Sequence, residues 1–266
     1  TPLPRMTYDE AMRRYGHDAP DLRFDMEIVD VTSVAKKTEF RVFRGTADAG
    51  NFVRGMNVKE AATKFSRRQI DEMTEFVKEF GAKGLAWFRV EDDGTLWSPI
   101  SKNLDEAHLA EIKELMKGEP GDLLMFLADT WEVTCKGLYA LRKRLGAELK
   151  LYSPDQLNCS WITEFPMFER DEETGNWTAM HHPFTAPLAS DLEKLDSDPK
   201  ACRAQAYDLV INGSEAGGGT IRIHDSKTQS KVFDLLGIDE ATAEDRFGFL
   251  LNALRFGAPP HGGIAL

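Results

Sequence analysis

The chain is short of cysteine, of histidine pairs and of long apolar runs, and each shortage removes a class of protein. Cys135, Cys159 and Cys202 are its only cysteines in 266 residues, and no two form a C-x-x-C pair. That excludes a disulfide frame and a thiolate zinc site and predicts reduced, partly buried thiols. None of the six histidines has the i, i+4 spacing of a helical metal pair. No apolar run approaches the roughly 20 residues of a membrane span. The opening Thr1-Pro2-Leu3-Pro4-Arg5 is not a signal peptide, so a cytoplasmic protein with no membrane contact is expected. Acids outnumber bases, 44 Asp/Glu against 33 Lys/Arg. A net charge of −11 argues against a surface that binds nucleic acid all over.

What is present fits a globular chain of one large or two ordinary domains, with 42% hydrophobic and 29% charged residues. Charge is uneven: nine Lys/Arg between Lys36 and Arg68 face Glu39, Asp48 and Glu60 alone. Such a patch can meet phosphates, although scattered solvated charge on a small α/β unit explains it better from composition alone.

Helix signals open the chain. Thr7-x-x-Glu10 is a capping box before Ala11, Met12 and Tyr15, with Gly16 as the stop. The spacing predicts a strand at Phe40–Phe43, a helix from Ser66 to Gly81 and a strand over 85–90. It then predicts a helix over 105–117, a strand over 123–128 and a helix from Trp131 closed by Gly146. This 32–153 stretch reads as an α+β domain with its own core. Beyond Pro154 come a strand over 161–168, a polar hairpin turn near Gly175, a second strand over 177–181 and an acidic, flap-like loop over 188–200. A helix from Pro199 through Ile211, a turn at Gly217-Gly218-Gly219 and a strand from Thr220 are expected next. Short helices over 226–236, 239–245 and 246–256 close the pattern. The ends, 1–31 and 154–266, thus form one body interrupted by the 32–153 domain.

The densest chemistry lies around the three glycines. Asp208 and Glu215 precede them, and Arg222 and His224 follow. Strand alternation sends Thr220, Arg222 and His224 to one face and Ile221 and Ile223 to the other. Glycines admit a ligand against the backbone, and two carboxylates beside a guanidinium suit a phosphate-bound Mg²⁺ and an anionic group together. His181 and His182 are adjacent on a strand end, so only one can enter a given site.

These segments together resemble bacterial-type aspartyl-tRNA synthetases of class II. Glu164-Phe165-Pro166-Met167-Phe168, Thr178–Thr185, Tyr207–Arg222, Phe247–Leu251 and Pro259–Gly263 match the C-terminal part of that catalytic core. Pro4–Tyr8 and Pro20–Arg23 match the stretch after its second signature motif, and residues 32–153 resemble its insertion (GAD-like) domain. The resemblance implies an α+β fold: a partial antiparallel-sheet catalytic core interrupted by an α+β insertion. It implies an aspartate–tRNA ligase that uses ATP and Mg²⁺ to make aspartyl-adenylate and then charges tRNA, for aspartate and with asparagine left open. The full-length enzyme of such a family is a homodimer. Residue by residue, Arg222 would read the aspartate side chain, with His181 at the bound amino acid and His182 supporting it. Glu215, assisted by Asp208, would hold Mg²⁺ at ATP, and Gly217, Gly218 and Gly219 would floor the site.

The first signature motif, the ATP-binding arginine of the second and the Gly-x-Asp-Arg of the third are not in this sequence. The polypeptide alone is therefore expected to be inactive in aspartate-dependent ATP–pyrophosphate exchange. Two other readings are open: a non-catalytic tRNA- or subunit-binding module using the insertion domain, and a metallohydrolase using His181, His182, His224 and His261. The second has no ligand spacing behind it.

Overall fold

The computed structural model describes residues 2–266. In chain order the first half forms β1 (Arg5–Thr7), α1 (Tyr8–Tyr15), β2 (Ile28–Asp30), α2 (Thr32–Ala35), α3 (Arg41–Asp48), β3 (Phe52–Val58), α4 (Arg67–Lys78), β4 (Ala86–Val90), β5 (Leu96–Trp97), α5 (Glu106–Leu115), β6 (Leu123–Asp129) and α6 (Trp131–Glu148). The second half forms β7 (Cys159–Thr163), β8 (Phe168–Arg170), β9 (Trp177–Ala179), α7 (Lys194–Ser197), β10 (Ala206–Ile211), β11 (Ser214–Ile221), α8 (Ser226–Leu235), α9 (Glu240–Arg255) and β12 (Gly262–Ala265). Contacts divide the chain into two units, Ala11–Asn158 and a discontinuous one made of the segment ending at Glu10 with Cys159–Leu266.

The Ala11–Asn158 unit is an antiparallel sheet in the order β2-β3-β6-β4-β5 with helices on both faces. Its central strand β6 reads Leu-Leu-Met-Phe-Leu because both faces are covered. Leu123, Met125 and Leu127 enter the core under α4 and α6, while Leu124 and Phe126 enter the core under α2, α3 and α5. Ser66 caps α4 in a reciprocal box with Gln69, and the Asp105 carboxylate caps α5 through the His108 N–H at 2.8 Å.

Residues 11–31 pack into this unit, 21 positions beyond the 31/32 junction read from the sequence. Two buried guanidiniums hold them. Arg54, 1% exposed, donates to the Met12 and Arg13 carbonyls at the end of α1 and lies 4.1 Å over the Trp131 ring. Arg142, fully buried, donates to the Asp21, Phe24, Asp25 and Met26 carbonyls and stacks 4.0 Å over Phe24.

Several element expectations change. The segment at Phe40–Phe43 is the start of helix α3. Phe43 and Ala47, four apart, are its buried residues, and Val42 stands exposed. The helix α6 runs past Gly146, whose missing side chain makes room for the Phe24 ring. The expected strand over 161–168 breaks at Glu164, which has φ +60°, so β7 and β8 are separate. The helices expected over 239–256 are one, α9.

In the other unit the sheet runs β1-β7-β10-β11-β12, with β1 parallel to β7 and the remaining pairs antiparallel. The hairpin β8-β9 stands beside it as expected. The stretch over 188–200 is docked and not a loose flap. Leu195 is buried, and the Asp191 carboxylate accepts from Arg203 Nε at 2.7 Å, Arg203 Nη2 at 3.0 Å and Lys194 Nζ at 2.9 Å.

The Arg203 hydrogen bonds hold the Asp191 carboxyl far below the usual carboxylate range. A depressed folded-state pKa stabilises above the unfolded value, about 3.9, and that contribution is lost as pH falls below it. Loosening of 188–200 should therefore begin as the medium is acidified below about pH 4, and Asp191→Asn should loosen it at neutral pH. Limited proteolysis within 188–200 reads both, and equal protection in the variant at pH 7 would count against this role.

No helix among the described residues is long and apolar enough to cross a membrane.

Candidate functional site

The expected helix over 199–211 is absent. Its second half is the strand β10, and Asn212-Gly213, with φ +51° and +80°, turns the chain into β11. Positive φ at both residues is the type I′ hairpin for which Asn-Gly is the strongest short signal. The three glycines lie inside β11 and none of them makes the turn.

Register then sets which side chains meet. Asp208 pairs with Gly218 and Leu209 with Gly217, but Val210 pairs with Glu215, so Ala216 is the extra residue of a β-bulge. Without the bulge, Glu215, three positions from Gly218, would face the opposite side of the sheet. With it, Glu215 shares the face of Val210 and Asp208. Both carboxylates then converge above one atom. A β-carbon built on Gly218 would stand 2.6 Å from Asp208 Oδ1 and 2.9 Å from Glu215 Oε1. Gly217 and Gly219 face the other way, against β12; a β-carbon on Gly219 would collide with the Gly263 carbonyl. Of the three, only Gly218 floors the carboxylate side.

The same alternation carries Thr220 and Arg222 onto the Gly218 face. Arg222 is held by its backbone, donating to the His261 carbonyl at 2.9 Å and pairing across an isolated bridge with Thr185. Its guanidinium makes no salt bridge among the described residues, and its Nη1 is buried with no partner there. An arginine in that state is ready for an anion that brings its own acceptors.

His182 is the histidine coupled to it. Partial burial first, and then the Arg222 cation, lower the His182 pKa. Its Nδ1 accepts from the Phe184 N–H at 3.2 Å, which a neutral ring permits. His181 instead meets the Phe165 ring edge-on at 4.8 Å, and Phe165 lies 5.2 Å from Tyr8. His224 is exposed and lines a separate cavity of about 610 Å³ with residues of α8 and α9. Sequence reading placed Thr185 at the end of the Thr178–Thr185 segment but gave it no role, because it reaches Arg222 through cross-strand pairing.

Two carboxylates converging on a strand, with a guanidinium further along the same face whose Nη1 has no partner among the described residues, can between them hold a cation and an anionic group. A family model described as tRNA synthetases class II (D, K and N) matches residues 1–266. The chain belongs to that family. Within this class II family, the chain is 81% identical over 266 residues to the aspartate–tRNA(Asp/Asn) ligase of Rhodopirellula baltica, covering 100% of this chain and 45% of that protein. It is 51% identical over 270 residues to the same-named ligase of Persephonella marina, covering 99% and 44%. The aspartate–tRNA ligase of Macrococcus caseolyticus is 49% identical over 266 residues, covering 100% and 45%. The chain thus spans somewhat under half the length of these curated relatives. Among the described residues no group of three or more His, Cys, Asp or Glu is placed to hold a metal ion.

Proposed function

We propose that this chain carries the aspartate-reading half of an aspartate–tRNA ligase site, in an enzyme that activates L-aspartate with ATP and transfers it to tRNA. The observation that carries the reading is the unpaired Arg222 guanidinium on the same sheet face as the Asp208/Glu215 pair. A fork of N–H donors fits a carboxylate bidentately, whereas the amide of asparagine would turn donors toward donors. Neutral His182 adds no second charge beside the ligand. The tRNA substrate is that named for the Rhodopirellula relative, tRNA(Asp/Asn), and the insertion unit accompanies it as an accessory domain.

Oxygen donors from two carboxylates suit a hard divalent cation that keeps further positions for phosphate oxygens. Asp208 and Glu215 would hold Mg²⁺, which when bound neutralises phosphate charge at the reacting nucleotide. Arg222 orients the amino acid, and the absence of a side chain at Gly218 leaves room for the two carboxylates to approach each other.

The test is thermal stabilisation of this chain by L-aspartate against L-asparagine. Aspartate should raise the unfolding temperature in a saturable way and asparagine should not; equal responses, or none to aspartate, would sink the proposal. A second expectation separates the glycines. In Gly218→Ala the new methyl meets the ends of flexible side chains, so the fold should hold while Mn²⁺, a probe for Mg²⁺, binds roughly tenfold more weakly. In Gly219→Ala the methyl meets backbone, so β12 should detach and the unfolding temperature should fall. Mn²⁺-induced broadening of NMR signals near Gly218, read beside calorimetric unfolding, would show whether the two variants differ in this way.

A further inference from the structure

Arg222 is not alone in being buried and unpaired. Thr185 Oγ1 and Thr220 Oγ1 also lack any hydrogen-bond partner among the described residues, with Thr185 at 2% exposure and Thr220 at 7%. A buried hydroxyl without a partner is a net cost to the fold, and native structures keep few of them. These two are placed together by the sheet. Thr185 faces Arg222 directly across an antiparallel bridge, a pairing that sets β-carbons roughly 5 Å apart on one face. Thr220 precedes Arg222 by two residues, about 7 Å along the same face. The three side chains therefore leave neighbouring backbone positions on one face, further along the face that carries Asp208 and Glu215.

A carboxylate offers about four lone-pair sites. An arginine fork uses two of them, which leaves two acceptor positions per ligand carboxylate. We infer that Thr185 and Thr220 are binding residues of the carboxylate subsite, their hydroxyls donating to the aspartate side-chain oxygens that the Arg222 fork leaves free. The inference rests on the proposed reading of Arg222 as the aspartate-binding cation and adds the two groups that complete its anion cradle. A hydroxyl can accept as readily as it donates, so discrimination against asparagine stays with Arg222, and the threonines supply affinity.

The experiment uses this chain with Thr185→Val and Thr220→Val, near-isosteric changes that remove only the hydroxyl. Unliganded thermal unfolding and calorimetric titration with L-aspartate are measured on each. Removing an orphan should leave the unliganded unfolding temperature unchanged or raise it, while aspartate binding should weaken roughly tenfold per hydroxyl lost. A role in folding alone cannot move the two readouts in opposite directions. Thr185→Ser and Thr220→Ser keep the hydroxyl and should retain near wild-type affinity, so a valine variant that fails to fold does not end the test. A drop of several degrees in the unliganded valine variants, or unchanged aspartate affinity, would overturn the inference while leaving the Arg222 reading intact. A wild-type chain that shows no aspartate response would overturn both.

Discussion

Arg222→Leu should weaken L-aspartate binding by roughly 10²–10³-fold, the loss expected when a bidentate charge-assisted pair is removed. The same change should not destabilise the unliganded protein. Nη1 is already buried without a partner, and the guanidinium makes no salt bridge among the described residues, so the folded chain surrenders little when the head group is removed. A leucine of comparable girth fills much of the space. Arg222→Lys should fall between the two, because an ammonium keeps the charge but loses the planar fork. Its preference for aspartate over asparagine should shrink most visibly, since a single rotatable donor group tolerates an amide oxygen. Calorimetry with both amino acids, set beside unliganded unfolding, separates affinity from stability. Undiminished aspartate binding by the leucine variant would remove Arg222 from the site.

The helices of the insertion unit were readable because their ends carry local chemistry: Ser66 with Gln69, Asp105 with the His108 amide, Gly81 at its stop. Such signals sit within four residues of the bond they make. Site geometry is not local in that sense. The segment over 199–211 carries Ala204, Tyr207 and Ile211 at spacings a helix would use, its last six residues show no clear alternation, and only pairing with β7 and β11 makes them a strand. The deciding local mark, Asn212-Gly213, was present, but the three glycines drew the turn toward themselves. The bulge at Ala216 leaves no mark in the sequence at all, yet it alone brings Glu215 to the face of Asp208. The 31/32 junction moved for a related reason. Arginines are counted as surface residues by type, and nothing in the sequence tells that Arg54 and Arg142 spend their donors on backbone carbonyls of residues 12–26.

Arg142→Met should cost the Ala11–Asn158 unit about 3–5 kcal/mol. Methionine keeps much of the stem volume, so the loss is one of hydrogen bonds more than of packing. The Arg142 guanidinium satisfies carbonyls of Asp21, Phe24, Asp25 and Met26 in a place where its own side chain has no exposure to water. No nearby donor can take over. The Arg23 guanidinium is engaged with the Asp21 carboxylate at 2.7 and 2.9 Å, and Met26 sits at φ +86°, a conformation that regular secondary structure cannot rescue. The stretch over 21–26 should therefore come away from α6 before the rest of the unit unfolds, exposing Phe24 and opening the gap it fills beside Gly146. Denaturant titration gives the free energy, and hydrogen exchange shows whether amides of 21–27 lose protection first. Exposed neighbours on α6, such as Lys143, should tolerate the same substitution within about 0.5 kcal/mol. If Arg142→Met stays within about 1 kcal/mol of the parent, those carbonyls are satisfied by something other than the guanidinium, and the account of why residues 11–31 travel with the insertion falls with it.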